Sequence, residues 1–215
     1  MYPRLSVTEQ ERTLSKSIWE RIEASRERWD VLRHPFYQRW SAGELSADEL
    51  ARYSGQYRHA VEAVATMSDA VAGALPERPE LRRHAAEELG HVRLWDGFVE
   101  AAGGDAGDGP TAETTACVST WAASGDPLET LARLFAVESG QPQISHTKRE
   151  GLLERYGFSE GAGTAYFRVH ETRDVDHAAE VRELVSELAA PGDEDRIVAA
   201  AESAFRANWR LLDGV

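Results

Sequence analysis

Cysteine is almost missing from this chain. Cys117 stands alone in 215 residues, which excludes a disulfide framework and any cysteine-rich metal site. No apolar run reaches the length needed to cross a bilayer, and the start Met1-Tyr2-Pro3-Arg4 offers no signal-peptide core. Positive charge is also scarce. The 24 basic residues face 37 acidic ones, for a formal charge of −13, so neither nucleic acid nor an anionic membrane is expected as a partner. Lysine is scarcer still: only Lys16 and Lys148 occur, every other basic residue being arginine. Strand-type alternation and internal repeats are absent from the pattern. These absences point to a cytoplasmic protein of one domain, residues 1–215, large enough for a real core.

What is present is helical. Thr8-Glu9-Gln10-Glu11 and Ser46-Ala47-Asp48-Glu49 have the capping-box pattern. They predict helices running to about Leu32 and about Ala74. Pro35 opens a short helical turn between them, and Pro79 opens a helix to about Ala102. After a glycine- and aspartate-rich loop, helices are predicted over Thr111–Ala123, over Pro127–Tyr156, from after Gly163 to Ala190, and over Asp193–Leu212. Pro142 lies inside the Pro127–Tyr156 segment and has no N–H, so the carbonyl of Glu138 loses its helical partner. A kink is therefore expected beside Glu138. The fold class is all-α, with about seven main helices.

Three segments carry metal-type chemistry. His170, Asp174 and His177 are spaced i, i+4 and i+7, which puts them on one helix face. Two imidazoles and a carboxylate converging from successive turns suit a first-row metal. Glu88 and His91 form Glu-x-x-His, the building block of carboxylate-bridged di-iron sites in bundles; Glu87, four residues before His91, is an alternative to Glu88. Glu138 at the kink is the third contribution. Together Glu88, His91, Glu138, His170, Asp174 and His177 offset about three of the four charges of two divalent metals and leave positions open. His84 reads as a surface histidine, or as a group behind the ligands. His34, His59 and His146 read as structural.

These residues resemble the haem-oxygenase-like dimetal oxidases and oxygenases, seven-helix proteins that bind no haem. The resemblance runs from His34-Pro35-Phe36-Tyr37 to about Leu188. It includes Trp40-Ser41-Ala42-Gly43-Glu44-Leu45, Leu94-Trp95, Glu138-Ser139, Tyr156-Gly157-Phe158 and Tyr166-Phe167. It implies a haem-oxygenase-like bundle, two iron ions or manganese plus iron as cofactors, and dioxygen as co-substrate. Within the family the residues look like the branch that makes 4-aminobenzoate from its own side chains. There a tyrosine supplies the ring and a lysine the nitrogen, and Tyr37 and Lys148 fall on those positions. Val137 stands where that branch has a tyrosine.

Tyr37 and Lys148 each keep a second reading, as a core residue and as an ordinary helix lysine. A desolvated primary amine can lose its proton and become a nucleophile, which a guanidinium cannot. Tyr53 and Tyr57 read first as core, and otherwise as carriers of a radical or donors of a hydrogen bond into the pocket. An external amine, amino acid or fatty acid is the alternative substrate. Two further readings keep the fold without metal, an enzyme like the thiamin-degrading or quinone-cofactor branches, in the first case through Cys117, and a non-catalytic helical interaction protein. A homodimer is expected, because bundles of this size often bury an apolar face between protomers.

Overall fold

The computed structural model describes residues 7–123 and 125–215, with side chains from Ile18 onward. The Met1–Arg4 start and the side chains of Thr8–Glu11 and Lys16 lie outside the described residues. The helices are α1 (Val7–Arg28), α2 (Pro35–Ala42), α3 (Ala47–Ala74), α4 (Pro79–Ala102), α5 (Ala112–Trp121), α6 (Pro127–Glu138), α7 (Gln141–Glu154), α8 (Ala162–Leu188) and α9 (Glu194–Leu212). No strand occurs among the described residues. Counting α6 and α7 as one broken rod and setting aside short α2 returns the seven main helices expected.

Local chemistry sets most of the ends. Ser46 and Glu49 close the reciprocal capping box, Glu49 N–H donating to Ser46 Oγ at 3.2 Å and Ser46 N–H to Glu49 Oε2 at 2.8 Å. Thr111 and Asp126 cap α5 and α6 through their side-chain oxygens. Gly103 ends α4 at φ +73°, a left-handed position that favours glycine. Two boundaries differ from the sequence pattern. The first helix stops at Arg28 rather than Leu32, because Asp30 caps a separate 3-10 turn, Val31–Arg33. At Glu138 the helix does not merely bend; it ends, and α7 restarts at Gln141 with Pro142 in its first turn.

α8 lies at the middle of the bundle, packed against α4, α6 and α7, while α3 pairs with α4 and α9 covers α1, α5 and α6. Large aromatics fill the interior. Trp40, Trp95 and Trp121 are fully buried, and each indole N–H finds a main-chain carbonyl, that of Lys148, Ser54 and Ala204 respectively. The Trp40 bond ties α2 to α7 beside Lys148. This approach requires a missing side chain: a Cβ on Gly151 would stand 2.6 Å from Trp40 Nε1. Gly151→Ala is therefore expected to lower folding stability by about 1–3 kcal/mol through overpacking, measured by urea denaturation; a glycine without this contact would gain helix propensity instead.

Candidate metal centre

α4, α6 and α8 turn a set of acids and imidazoles towards one another at the centre of the bundle. Glu88, His91, Glu138, His170, Asp174 and His177 are all buried. So is His84, at 3% exposure, which corrects its reading as a surface residue. It stacks on His177 with ring centroids 3.9 Å apart. Two overlapping clusters result. In one, ligand-type atoms of His84, Glu88, Glu138 and His177 all lie within 4.8 Å of one another; in the other, those of Glu88, His91 and His170 do. Glu88 belongs to both. Asp174 Oδ1 lies 3.7 Å from His177 Nδ1, on the His84 side.

The contacts inside this set are close but are not hydrogen bonds. His84 Nε2 is 2.6 Å from Glu138 Oε1, and His91 Nδ1 is 3.0 Å from Glu88 Oε1. Neither pair has hydrogen-bond alignment. His84 Nε2, Glu88 Oε1, His91 Nδ1, both Glu138 oxygens, His170 Nε2, Asp174 Oδ1 and His177 Nδ1 are all buried without a partner. Buried polar atoms are ordinarily paired, so eight orphans aimed at one region fit lone pairs converging on ions. The donor set, imidazole nitrogen with carboxylate oxygen, suits iron.

Neighbouring groups hold the imidazoles in register. His170 Nδ1 donates to the Tyr166 carbonyl at 2.7 Å, leaving Nε2 facing inward. His177 presents Nδ1 because its Nε2 bonds Glu87 Oε2 at 3.1 Å, and Arg173 grips both Glu87 oxygens at 2.7 and 2.6 Å. This separates the two adjacent glutamates: Glu88 faces the cluster, and Glu87 orients His177 from behind.

Electrostatics agree with that arrangement. Burial, then the charge of Glu88, pushes the Glu138 carboxyl well above the usual range, and burial with Glu138 and Glu88 does the same for Asp174. Glu88 is raised by burial but pulled down further by the imidazoles of His91, His170 and His84, ending below its ordinary value. Burial lowers His84 and His177, and lowers His170 to about 4. Neutral imidazoles are the form that binds metal.

A second polar group lies nearby. Gln141, Ser145 and Lys148 share one face of α7, all buried, each with an unpartnered polar atom. Lys148 is 0% exposed. Its Nζ is 4.5 Å from the ring centre of Tyr57, 5.2 Å from Tyr53, 5.4 Å from Tyr37 and 5.5 Å from Trp95. Burial alone drives the amine well below its normal pKa. Tyr37 and Tyr53 share a hydroxyl–hydroxyl bond of 3.1 Å, and burial keeps both phenols protonated. Tyr37 and Lys148 are thus brought together, but Tyr53 stands as close and Tyr57 closer to the amine. A cavity of about 210 Å³ between the 3-10 turn and α9 reaches Val137, Gly140 and Asn208 at the α6–α7 break.

The remaining candidates lie elsewhere. Cys117 is fully buried and its thiol is pushed far up by burial, so it is no activated nucleophile. His34 caps α2 and bonds Asp213. His59 bonds the Asp108 carbonyl, and the His146 side chain is largely exposed.

The signal for His84 was available in the sequence. His84-x3-Glu88-x2-His91 on α4 has the same spacing as His170-x3-Asp174-x2-His177 on α8. Reading Glu88 and His91 as a pair hid the third member.

Comparison with known proteins places this geometry. A 4-aminobenzoate synthase from Chlamydia muridarum is 29% identical over 215 residues, covering 93% of this chain and 90% of that protein. One from Nitrosomonas europaea is 30% identical, covering 86% and 85%. One from Chlamydia trachomatis is 31% identical, covering 85% of each. Among solved structures, a TenA homologue from Pseudomonas syringae has a TM-score of 0.79 at 16% identity, over 99% of this chain and 97% of that one. A haem-oxygenase-like domain from Shewanella denitrificans has a TM-score of 0.74 at 20% identity, over 99% and 92%. These two show the fold, which is haem-oxygenase-like. No described helix is long and apolar enough to cross a membrane. The acid–imidazole cluster and Lys148 both fall within residues 49–209, the segment that matches the model of iron-containing redox enzymes, and the chain belongs to that family.

Proposed function

We propose that this chain is a 4-aminobenzoate synthase that works with two metal ions, iron or manganese plus iron, and dioxygen. The observation that carries the reading is Lys148: a buried, unpartnered amine packed against phenol rings, one compartment away from a buried acid–imidazole cluster. The names of the relatives support the product. Glu88, His91, Glu138, His170, Asp174 and His177 would hold the metals. Bound there, the ions would supply activation of dioxygen, the oxidant of the reaction.

The chain's own residues do the rest. Desolvation keeps Lys148 neutral, so its lone pair is free to attack a phenol ring once oxidation at the expense of dioxygen has made that ring electrophilic. The Tyr37–Tyr53 hydroxyl bond fixes the phenol beside it. Closure by Trp40, Trp95 and Phe167 keeps water from the amine and the ring.

The test is production of 4-aminobenzoate. Cells lacking their usual route should grow when given this gene, and purified iron-supplemented protein should carry about two metal equivalents. Tyr37→Phe and Lys148→Arg should each abolish rescue with metal content unchanged. Tandem mass spectrometry of proteolytic peptides would locate the ring lost, Tyr37 being expected over Tyr53 and Tyr57. Full metal loading with no rescue would overturn the substrate and leave an external small amine, amino acid or fatty acid as the alternative.

A buried amine without a partner costs stability, so Lys148→Met should stabilise the apo protein by about 1–3 kcal/mol. The pH dependence has a definite sign. The folded amine's pKa is depressed, so the unfolded chain binds the extra proton, and wild-type stability rises with pH up to the unfolded value of about 10.4. The variant's advantage should therefore shrink as pH rises towards that value, in denaturation curves taken across the range.

We also propose a homodimer. Leu89 on α4 and Val175 on α8 are 68% and 57% exposed on two helices packed together, an arrangement suited to an apolar contact between copies. Light scattering at micromolar concentration should give the dimer mass; a monomer mass would refute it.

A further inference from the structure

We infer that His84 is itself a metal ligand, and that it makes the two metal positions unequal. This rests on the dimetal reading above. One position has four donors, His84, Glu88, Glu138 and His177. The other has three, Glu88, His91 and His170, with Glu88 common to both.

Three observations carry the assignment. First, His84 Nε2 approaches Glu138 Oε1 to 2.6 Å without hydrogen-bond alignment, and both atoms lack any other partner. A histidine that merely supported Glu138 from behind would point an N–H at the oxygen. Lone pairs side by side at this distance are instead directed at a common third atom. Second, His84 and His177 stack at 3.9 Å and 29°, so their inward nitrogens, Nε2 and Nδ1, are presented from parallel rings on α4 and α8. Third, the spacing His-x3-acid-x2-His occurs once on each of these helices. On α8 the first and last members bracket the acid on one face, and α4 repeats that arrangement with His84 as its first member.

The consequence is chemical. The four-donor position carries two imidazoles and two carboxylates, with Asp174 Oδ1 beside it at 3.7 Å from His177 Nδ1, whereas the other carries two imidazoles and one carboxylate. Imidazole suits iron, whereas carboxylate-rich sites suit manganese. The four-donor position, having more ligands, is the tighter one and fills first, and its choice of metal turns on how many of its donors are imidazole. The three-donor position is weaker and keeps room for other ligands.

The experiment is anaerobic metal loading of the full chain. Wild type is titrated with Fe²⁺ alone and then with equimolar Fe²⁺ and Mn²⁺, and metal content is read by mass spectrometry. Anomalous diffraction at the two absorption edges locates each ion. Wild type should show one tight and one weaker equivalent, with His84 Nε2 about 2.0–2.2 Å from the tight ion. His84→Gln should weaken the tight site about 100-fold or more and leave the weaker ion in place, whereas His170→Gln should do the reverse. His84→Glu should keep two sites but raise the manganese share of the first at least about threefold. Circular dichroism of each apo variant verifies folding, and the glutamate variant tests the proposal even if the glutamine variant unfolds. Two metals bound in wild type, with His84→Glu showing the same affinities and metal ratio, or a map with His84 away from the ion, would overturn this inference and leave the dimetal reading standing. Wild type that binds no iron or manganese would sink both. Absence of 4-aminobenzoate would touch only the substrate.

Discussion

Three carboxylates, Glu88, Glu138 and Asp174, lie buried close together with no lysine or arginine hydrogen-bonded to them among the described residues. Taking such charges out of water costs several kcal/mol for each ion that is left uncompensated. The protein on its own relieves this by protonation, as the raised values of Glu138 and Asp174 indicate. Metal cations would relieve it differently, by supplying the missing charge and drawing on the orphaned lone pairs. Much of the central bundle is arranged to keep that demand unmet by protein groups. The one strong cation nearby, Arg173, is held by Glu87 and hence kept from Asp174. His170 is held by the Tyr166 carbonyl, and His177 by Glu87, each at the nitrogen that faces away.

Beside this acid compartment lies one of opposite character. Around Lys148 the walls are aromatic, and no carboxylate pairs with the amine. Trp95 separates the two, its ring 4.8 Å from Tyr166 on the cluster side and 5.1 Å from Tyr57 on the lysine side. Tyr166 in turn stacks on His170 at 3.8 Å. The separation has a physical use. An ammonium next to three carboxylates would stay charged and form an ion pair with them. Screened by an indole and sealed from water, the amine stays neutral. Neither compartment would hold its state if the two merged.

How much of this could be read in the sequence follows from what each feature depends on. The helix limits at Ser46, Pro79, Pro127 and Leu212 were legible because caps and prolines act locally. So was the His170–Asp174–His177 face, since helical periodicity fixes it. The break at Glu138 was visible as a lost hydrogen bond, but not its extent: whether a helix bends or ends depends on packing against α8. The choice between Glu87 and Glu88 was not local either. Both can reach His91, and what decides is Arg173, a residue 86 positions away on α8. His84 was read as a surface residue, or as a group behind the ligands, for a different reason. Its spacing to Glu88 and His91 was plain in the sequence, but only the comparison with α8 gives that spacing meaning.

The fold by itself says little about the chemistry. A TenA homologue at 16% identity superposes over nearly the whole chain, and a shared bundle of this kind can host unrelated reactions. What distinguishes this chain is where it accepts instability. Its helix caps, indole hydrogen bonds and aliphatic core all favour folding, whereas Glu138, Asp174, Lys148 and Ser145 are buried with polar atoms unpaired, each costing about 1–3 kcal/mol. Substitution by apolar residues of similar size would remove that cost without disturbing the bundle. Among the described residues most of the unpaired buried polar atoms fall within two adjoining compartments on α4, α6, α7 and α8. Stability and chemistry are thus written on different residues, and the positions that weaken the fold are the ones that locate its function.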